Sequence, residues 1–195
     1  MLSAEGDAEP TPYSLASAPE ETSKTGSIEF LVKVDGSTRF GARVSTLHRG
    51  DRVRLSGPLG SFVFPDHPAS RTLLFVAGGT GIAPLRSMIR HVLETRRRAT
   101  MHVLYSARSG REFAYLPELR ALARDGALDL RLTLTGEASR WPHARGRIDA
   151  VQLAPLVAAA DTMAFICGPP PMLTGVTAAL MELGLNRDRV KTETW

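Results

Sequence analysis

Short apolar runs alternate with longer segments of helical period over the last two thirds of the chain. Five segments read as strands: "RTLLFVA", "MHVLYSA", "LDLRLTLT", "TMAFICG" and "RVKTETW". Between them, "PLRSMIRHVLETRRR" and "PMLTGVTAALMEL" have helical spacing, and shorter helices are predicted over about 111–124 and 149–159. Because strands that alternate with helices form parallel sheets, the pattern predicts an α/β fold with a parallel, five-stranded, doubly wound sheet.

The first 66 residues have a different pattern, in which β-type segments are separated by turn signals. "PYSLASAPEE", "GSIEFLVKVDGSTRF" and "GDRVRLSGPLGSF" predict strands, Asp35-Gly36 predicts a hairpin turn, and "FGARVSTL" predicts one short helix. This material is typical of an antiparallel β-barrel, but there is too little of it to close one. The change of pattern near "FPDHPAS" predicts two domains, 1–66 and 67–195.

A glycine-rich loop follows the first strand of the predicted sheet, in "FVAGGTGIAPL". Gly78, Gly79 and Gly81 let the backbone approach a ligand closely, and Pro84 suits the first turn of a helix. Ligands of parallel sheets bind beyond the carboxyl ends of the strands, where this loop lies. No Gly-Lys-Ser/Thr follows, so the loop is not a P-loop. Two interpretations stay open, a dinucleotide site and a plain tight turn.

Composition and charge narrow the class of protein. The chain has 195 residues, of which 43% are hydrophobic, and a net charge of +4. No apolar run has the length of a membrane span, and the first residues lack a signal pattern, which favours a cytoplasmic protein. The run Arg96-Arg97-Arg98 is best explained as a solvated helix end, with a patch for an acidic partner second and nucleic acid a distant third.

The single cysteine lies in "CGPPPML", residues 167 to 173. One cysteine excludes an internal disulfide and a cysteine-ligated iron–sulfur cluster within this chain. Taken alone, Cys167 is best explained as a small buried hydrophobic residue. The prolines beside it indicate a fixed turn at a strand end.

Four motifs together resemble the ferredoxin–NADP reductase superfamily, in which a flavin-binding β-barrel precedes a nucleotide-binding α/β domain. "PYSLASAP" resembles the flavin motif, and "FGARVSTLHRGDRVRLSGPLGSF" resembles the elements that cover the flavin phosphate. "GGTGIAPL" resembles the pyridine-nucleotide loop, and "CGPPPML" with "ETW" resembles the nicotinamide pocket and chain end. The motifs occur in the family's order and cover nearly the whole chain.

The resemblance implies an NAD(P)H-dependent flavoprotein reductase with FAD and NAD(P)H as cofactors and no metal. Hydride would pass from NAD(P)H to FAD, and electrons would then pass to a separate acceptor protein, such as a ferredoxin-type iron–sulfur protein or a haem protein. It also implies an N-terminally incomplete flavin barrel. The alternative is a truncated, non-catalytic module that binds a nucleotide or a partner but no flavin.

The family's motifs carry over to named residues of this chain. The residues implied in hydride transfer are Ser14, Cys167 and Glu193. Those implied in flavin binding are Tyr13, Ser14, Leu15, Val32, Gly41, Ala42 and Trp195, the last as the aromatic that covers one flavin face. Those implied in NAD(P) binding are Gly79, Thr80, Gly81, Pro84, Ser106, Arg108, Cys167, Gly168, Pro169 and Met172. From the residues alone, core packing, turns and a solvated tail remain open as explanations.

The chain also departs from the family pattern. Thr11 occupies the place of an arginine that binds the flavin phosphate, and Gly41 that of a serine or threonine. Both changes predict weak FAD binding. Arg108 is a candidate contact for a 2′-phosphate, whereas Thr135-Gly136 replaces the Ser-Arg of NADPH-specific members. Arg140, Arg145 and Arg147 either compensate or form a solvated loop, so the sequence leaves NADH and NADPH open.

Overall fold

Two short strands and two short helices occupy the N-terminal part of the protein. They are β1 (Leu2–Ala4), α1 (Pro19–Thr25), α2 (Arg39–Val44) and β2 (Val53–Leu55). The structure, a computed structural model, describes residues 1–4, 10–34, 39–66, 68, 70–136, 141–158 and 161–194. Strands β1 and β2 pair antiparallel, with Leu2 opposite Leu55. The predicted helix in "FGARVSTL" is α2, whereas the Asp35-Gly36 turn lies outside the described residues.

The prediction of a strand through "PYSLASAPEE" is wrong for its second half, which is the start of helix α1. Pro19 fits the first helical position, and Glu21 accepts a hydrogen bond from the backbone N–H of Ala18 at 3.0 Å. Elsewhere in the described N-terminal residues, antiparallel pairing outside β1 and β2 is limited to single bridges, Leu2 with Thr11 and Leu15 with Phe30. Few strands form because most of the predicted β segments find no neighbouring strand to pair with.

A six-stranded parallel sheet is the main element of the C-terminal part. Its strands are β3 (Thr72–Gly78), β4 (Thr100–Ala107), β5 (Asp129–Leu134), β6 (Ala144–Arg145), β7 (Thr162–Gly168) and β8 (Val190–Thr194). Its helices are α3 (Ile82–Glu94), α4 (Leu116–Arg124), α5 (Ala150–Leu153) and α6 (Pro170–Glu182). The strand order is β6-β5-β4-β3-β7-β8, and every neighbouring pair is parallel.

The parallel, doubly wound α/β fold is confirmed, but the predicted count of five strands is one too low. The additional strand β6 has only two residues, which is too short for any hydrophobic period. Both faces of the sheet are covered. Leu73 and Phe75 of β3 pack in the cluster that includes α3 and α4, whereas Leu74 and Val76 pack with α5 and α6. This alternation is the period of two expected of a strand buried on both faces.

The predicted helix over 111–124 begins later, at Leu116. Residues 110–112 form a separate 3₁₀ turn, and Tyr115 has a left-handed backbone with φ of 57° that interrupts the helical path. Pro117 then fits the first turn of α4. Among the described residues, no helix is long and apolar enough to cross a membrane.

Candidate active site

The strand order places a topological switch point between β3 and β7. The chain leaves β3 for β4 on one side of the sheet and returns later to β7 on the other side. A crevice forms at the carboxyl ends of strands at such a point, and this is where ligands of open α/β sheets bind. The glycine-rich loop follows β3 there, as the 3₁₀ turn Gly79–Gly81 that leads into α3.

The register of the sheet brings Cys167 and Glu193 to this crevice. Cys167 lies opposite Ala77 of β3 and opposite Glu193 of β8. Ser14, from the N-terminal part, reaches the same place, where its Oγ donates a hydrogen bond to Oε2 of Glu193 at 2.8 Å. The Sγ of Cys167 approaches the same Oε2 at 3.9 Å. The structure therefore brings together the three residues implied in hydride transfer, although they come from distant parts of the sequence.

The thiol of Cys167 is held in its neutral form. The residue is 1% exposed. Burial, followed by the charge and hydrogen bond of Glu193, raises the pKa of the Cys167 thiol far above its usual range. Because a thiolate is disfavoured here, Cys167 is not built as a nucleophile. It supplies a small neutral side chain beside a carboxylate, which suits contact with a flat ring.

The glycines around the loop are required by contacts within the protein. A Cβ on Gly81 would overlap the backbone carbonyl of Cys167, and one on Gly78 would lie 2.7 Å from Sδ of Met172. A Cβ on Gly168 would also press on the Cε of Met172. The loop after β3 and the turn after β7 thus lie in direct contact. The sequence assigned these glycines to a ligand, whereas the structure adds packing between two strand ends as a reason for them.

Tyr105 also holds the loop, and the motif comparison did not single it out. Its buried hydroxyl donates to the carbonyl oxygen of Gly79 at 2.9 Å and accepts from the N–H of Ala114 at 3.1 Å. Burial raises the pKa of Tyr105 well above its usual range, so the hydroxyl remains a donor. The available sequence signal was a tyrosine in the otherwise apolar part of "MHVLYSA", since buried tyrosines usually have a hydrogen-bond partner.

The remaining predicted nucleotide residues lie around the same edge of the sheet. Ser106 is buried near the end of β4, and exposed Arg108 follows that strand. The carbonyl of Arg108 accepts from the N–H of Gly136 at 3.1 Å, and a Cβ on Gly136 would overlap it. Arg145 and Arg147 are exposed, whereas Arg140 is outside the described residues.

The second strand end of the crevice carries the other predicted nucleotide residues. Thr80 and Pro169 are partly buried, Pro84 is buried in the first turn of α3, and Met172 packs where α6 begins. The two turns that bear these residues contact each other through Gly78 and Gly168. The structure therefore groups most of the predicted nucleotide residues along one edge of the sheet.

The predicted flavin residues form a small cluster next to Ser14. The half-buried ring of Tyr13 packs against Phe40 of α2, with ring centroids 5.7 Å apart. Val32 packs against the same cluster, and Gly41 is buried beside Phe40. Ala42 is exposed, as is Leu15, which is 37% exposed. Trp195 lies outside the described residues, so its predicted stacking role has no structural description.

The fold and the loop at the switch point define a dinucleotide-binding α/β protein. A family model for the oxidoreductase NAD-binding domain matches residues 75–178. Ferredoxin–NADP reductase B of Sorangium cellulosum is 36% identical over 196 residues, which cover 93% of this chain and 76% of that protein. The reductase component of propane 2-monooxygenase from Rhodococcus jostii is 31% identical over 178 residues, covering 86% of this chain and 47% of that protein.

Solved structures show the same fold. The cytochrome P450 reductase GcoB of Amycolatopsis matches with a TM-score of 0.84 at 23% identity, over 99% of this chain and 58% of that chain. The chain spans about half the length of several curated relatives that it matches. It belongs to the ferredoxin–NADP reductase superfamily, as the sequence motifs indicated, and carries its NAD-binding oxidoreductase domain.

The cofactors of this superfamily are FAD and NAD(P)H, and the described residues fit both. For the nucleotide, the 3₁₀ turn Gly79–Gly81 and the first turn of α3 present backbone N–H groups at the switch point. For a flavin ring, the cluster offers the aromatic ring of Tyr13, the hydroxyl of Ser14 and the carboxylate of Glu193. An aromatic face beside a hydroxyl and a carboxylate suits a planar ring whose edge exchanges hydrogen.

Proposed function

We propose that the protein passes a hydride from NAD(P)H to FAD and then delivers electrons to a separate acceptor, such as a ferredoxin-type iron–sulfur protein. The contact between Ser14 and Glu193, at 2.8 Å beside Cys167, is the observation that carries this proposal. Its position at the switch point, next to the glycine-rich loop, supports it further. Relatives named as ferredoxin reductase and as a monooxygenase reductase component support the separate acceptor.

We also propose that the chain works as two domains, 1–66 and 67–195. The antiparallel pair β1–β2 ends at Leu55, and the parallel sheet begins at Thr72. Residues between them join the two parts, because the ring of Phe64 stacks on Phe165 of the sheet at 5.5 Å. In this division, one domain provides Tyr13 and Ser14 and the other provides Cys167 and Glu193.

Bound flavin supplies a ring that accepts hydride and releases electrons singly or in pairs. The chain's own residues orient and protect that chemistry. Glu193 accepts the hydroxyl hydrogen of Ser14, which leaves the lone pairs of the Ser14 oxygen free to face a donor on the ring edge. Because Glu193 is only partly buried, its carboxylate can exchange protons with solvent. The neutral thiol of Cys167 leaves room for the nicotinamide to lie flat.

The experiment that tests this proposal is an anaerobic titration of the FAD-loaded protein with NADH and with NADPH, followed by visible absorption. We expect either nucleotide to bleach the flavin, and the more efficient one defines the preference. Adding an oxidised ferredoxin-type protein or a haem protein should then restore the colour. A protein that binds nucleotide but holds no flavin would instead support the non-catalytic module and overturn the proposal.

A further inference from the structure

Arg86 is a buried cation on an otherwise apolar face of helix α3. The residue is 8% exposed, although its neighbours Leu85 and Met88 belong to the hydrophobic core. Its Nε donates to Oε2 of Glu118 on α4 at 2.7 Å. A buried ion pair contributes little net stability compared with apolar side chains of similar size. The placement of Arg86 therefore calls for an explanation in terms of geometry as well as stability.

The charge of Arg86 is matched from three sides. Besides Glu118, its Nη1 lies 3.5 Å from a carboxylate oxygen of Glu21 and 3.4 Å from one of Glu29. Its guanidinium carbon lies 4.7 Å from the centre of the Tyr115 ring. Burial alone would lower the pKa of Arg86, but the hydrogen bond to Glu118 and the three carboxylates raise it overall. A guanidinium held by so many partners has one orientation.

That orientation serves a main-chain contact in the segment that carries Ser14. Nη1 of Arg86 donates to the carbonyl oxygen of Ala16 at 2.7 Å, in a buried position. The next residue of the helix, Ser87, donates through Oγ to the carbonyl of Ser17 at 2.9 Å. Consecutive residues of α3 thus bind consecutive carbonyls of the Ser14 segment, which we define as residues 14–18. One residue separates the Ala16 anchor from the hydroxyl that meets Glu193.

We propose that Arg86 is a positioning residue for hydride transfer, because its hold on the Ala16 carbonyl sets where Ser14 lies relative to Glu193. The same helix begins at the glycine-rich loop, so α3 fixes both the nucleotide loop and the Ser14 segment. The inference rests on the proposed function for its effect on rate. The contact itself involves residues of this chain alone and is tested without any cofactor.

The kinetic test is a double-mutant cycle between Arg86→Met and Ser14→Ala, measured as the limiting rate of flavin reduction at saturating NAD(P)H. We expect Arg86→Met alone to slow reduction by about tenfold to a hundredfold, as misplacement of a reacting group does, with the nucleotide Kd unchanged. In the Ser14→Ala background the same change should have little further effect, because contacting residues that act together are not additive. Losses that multiply would overturn the proposal.

Arg90→Met is the matched control. Arg90 lies one turn further along α3 and donates to Oε1 of Glu21 at 2.8 Å, so it shares the same ion network. Its side chain is 28% exposed, and its recorded hydrogen bond goes to a carboxylate, whereas that of Arg86 reaches a carbonyl of the Ser14 segment. We expect Arg90→Met to keep the limiting rate. Equal losses in Arg86→Met and Arg90→Met would assign the effect to the network as a whole.

The second readout is hydrogen exchange of the Ala16 amide in the protein without cofactor. This N–H donates to the carbonyl of Glu29 at 2.8 Å and should be protected. Its exchange should accelerate in Arg86→Met and not in Arg90→Met, and an unchanged exchange rate would overturn the proposal. If NAD(P)H fails to reduce the unmodified protein, the proposed function fails while the exchange result still decides whether Arg86 holds the segment. Arg86→Lys, which keeps the charge but lacks the fork of donors, serves if Arg86→Met does not fold.

Discussion

Removal of the Ser14 hydroxyl is the most direct test of the candidate site. Ser14 Oγ donates to a carboxylate oxygen of Glu193 at 2.8 Å. A hydrogen bond to a charged group contributes about 1.5–3 kcal/mol. At about 1.4 kcal/mol for each factor of ten, this corresponds to a change of about tenfold to a hundredfold. If the bond orients the hydroxyl for hydride transfer, Ser14→Ala should slow flavin reduction by this factor and leave FAD affinity nearly unchanged.

The same substitution has a different signature if the bond only stabilises the fold. The loss would then appear as a melting temperature lower by about 2–4 °C for each kcal/mol, with an unchanged rate in the folded enzyme. Stopped-flow reduction together with a thermal melt separates the two. Thr95→Ala is a control, since its hydroxyl donates to the carbonyl of His91 at 2.7 Å, far from the crevice. Cys167→Ala should also slow reduction, and unmodified rates in both site variants would refute the assignment.

Three further changes test separate parts of the structure. Thr11→Arg should raise FAD affinity by about tenfold to a hundredfold through a charge-assisted contact with phosphate, measured by titration, and no gain would contradict the phosphate assignment. Because burial raises the pKa of Cys167 above the unfolded value of about 8.5, its contribution to stability is present below that pH and is lost above it. Between pH 8.5 and 10, the free energy of unfolding should therefore fall by about 1.4 kcal/mol per pH unit more than in Cys167→Ala, and equal slopes would be inconsistent with the buried thiol. Gly81→Ala should lower the melting temperature, because its Cβ meets the Cys167 carbonyl, whereas Gly175→Ala, in open space on α6, should raise it slightly.

The parallel sheet was predictable from sequence because its strands and helices have long, distinct periods. The apolar face of α3 was predicted through Leu85, Met88, Ile89 and Val92, and all four are buried. The N-terminal part was less predictable, since its β-type segments pair only in short stretches and Glu21 helps to begin a helix. Local propensity cannot report whether a strand will find a partner.

The site was predictable only through motif resemblance. Ser14 and Glu193 are 179 residues apart, and no periodicity relates them. The roles of Arg86 and Tyr105 could not be predicted, because both depend on carbonyl groups brought close by the fold, those of Ala16 and Gly79. A charged residue within an apolar helical face was the one signal that the sequence gave of the first.

The contact between Gly81 and the carbonyl of Cys167 bears on how such loops evolve. Selection for folding alone would retain a glycine at this position, even in a descendant that had lost its cofactor and its reaction. The "GGTGIAPL" motif would then persist as a marker of ancestry. Ser14 and Glu193 are under no comparable packing demand from a backbone overlap, so they would drift first once activity was lost. A survey that sorts active from inactive descendants should therefore weigh this pair above the glycines.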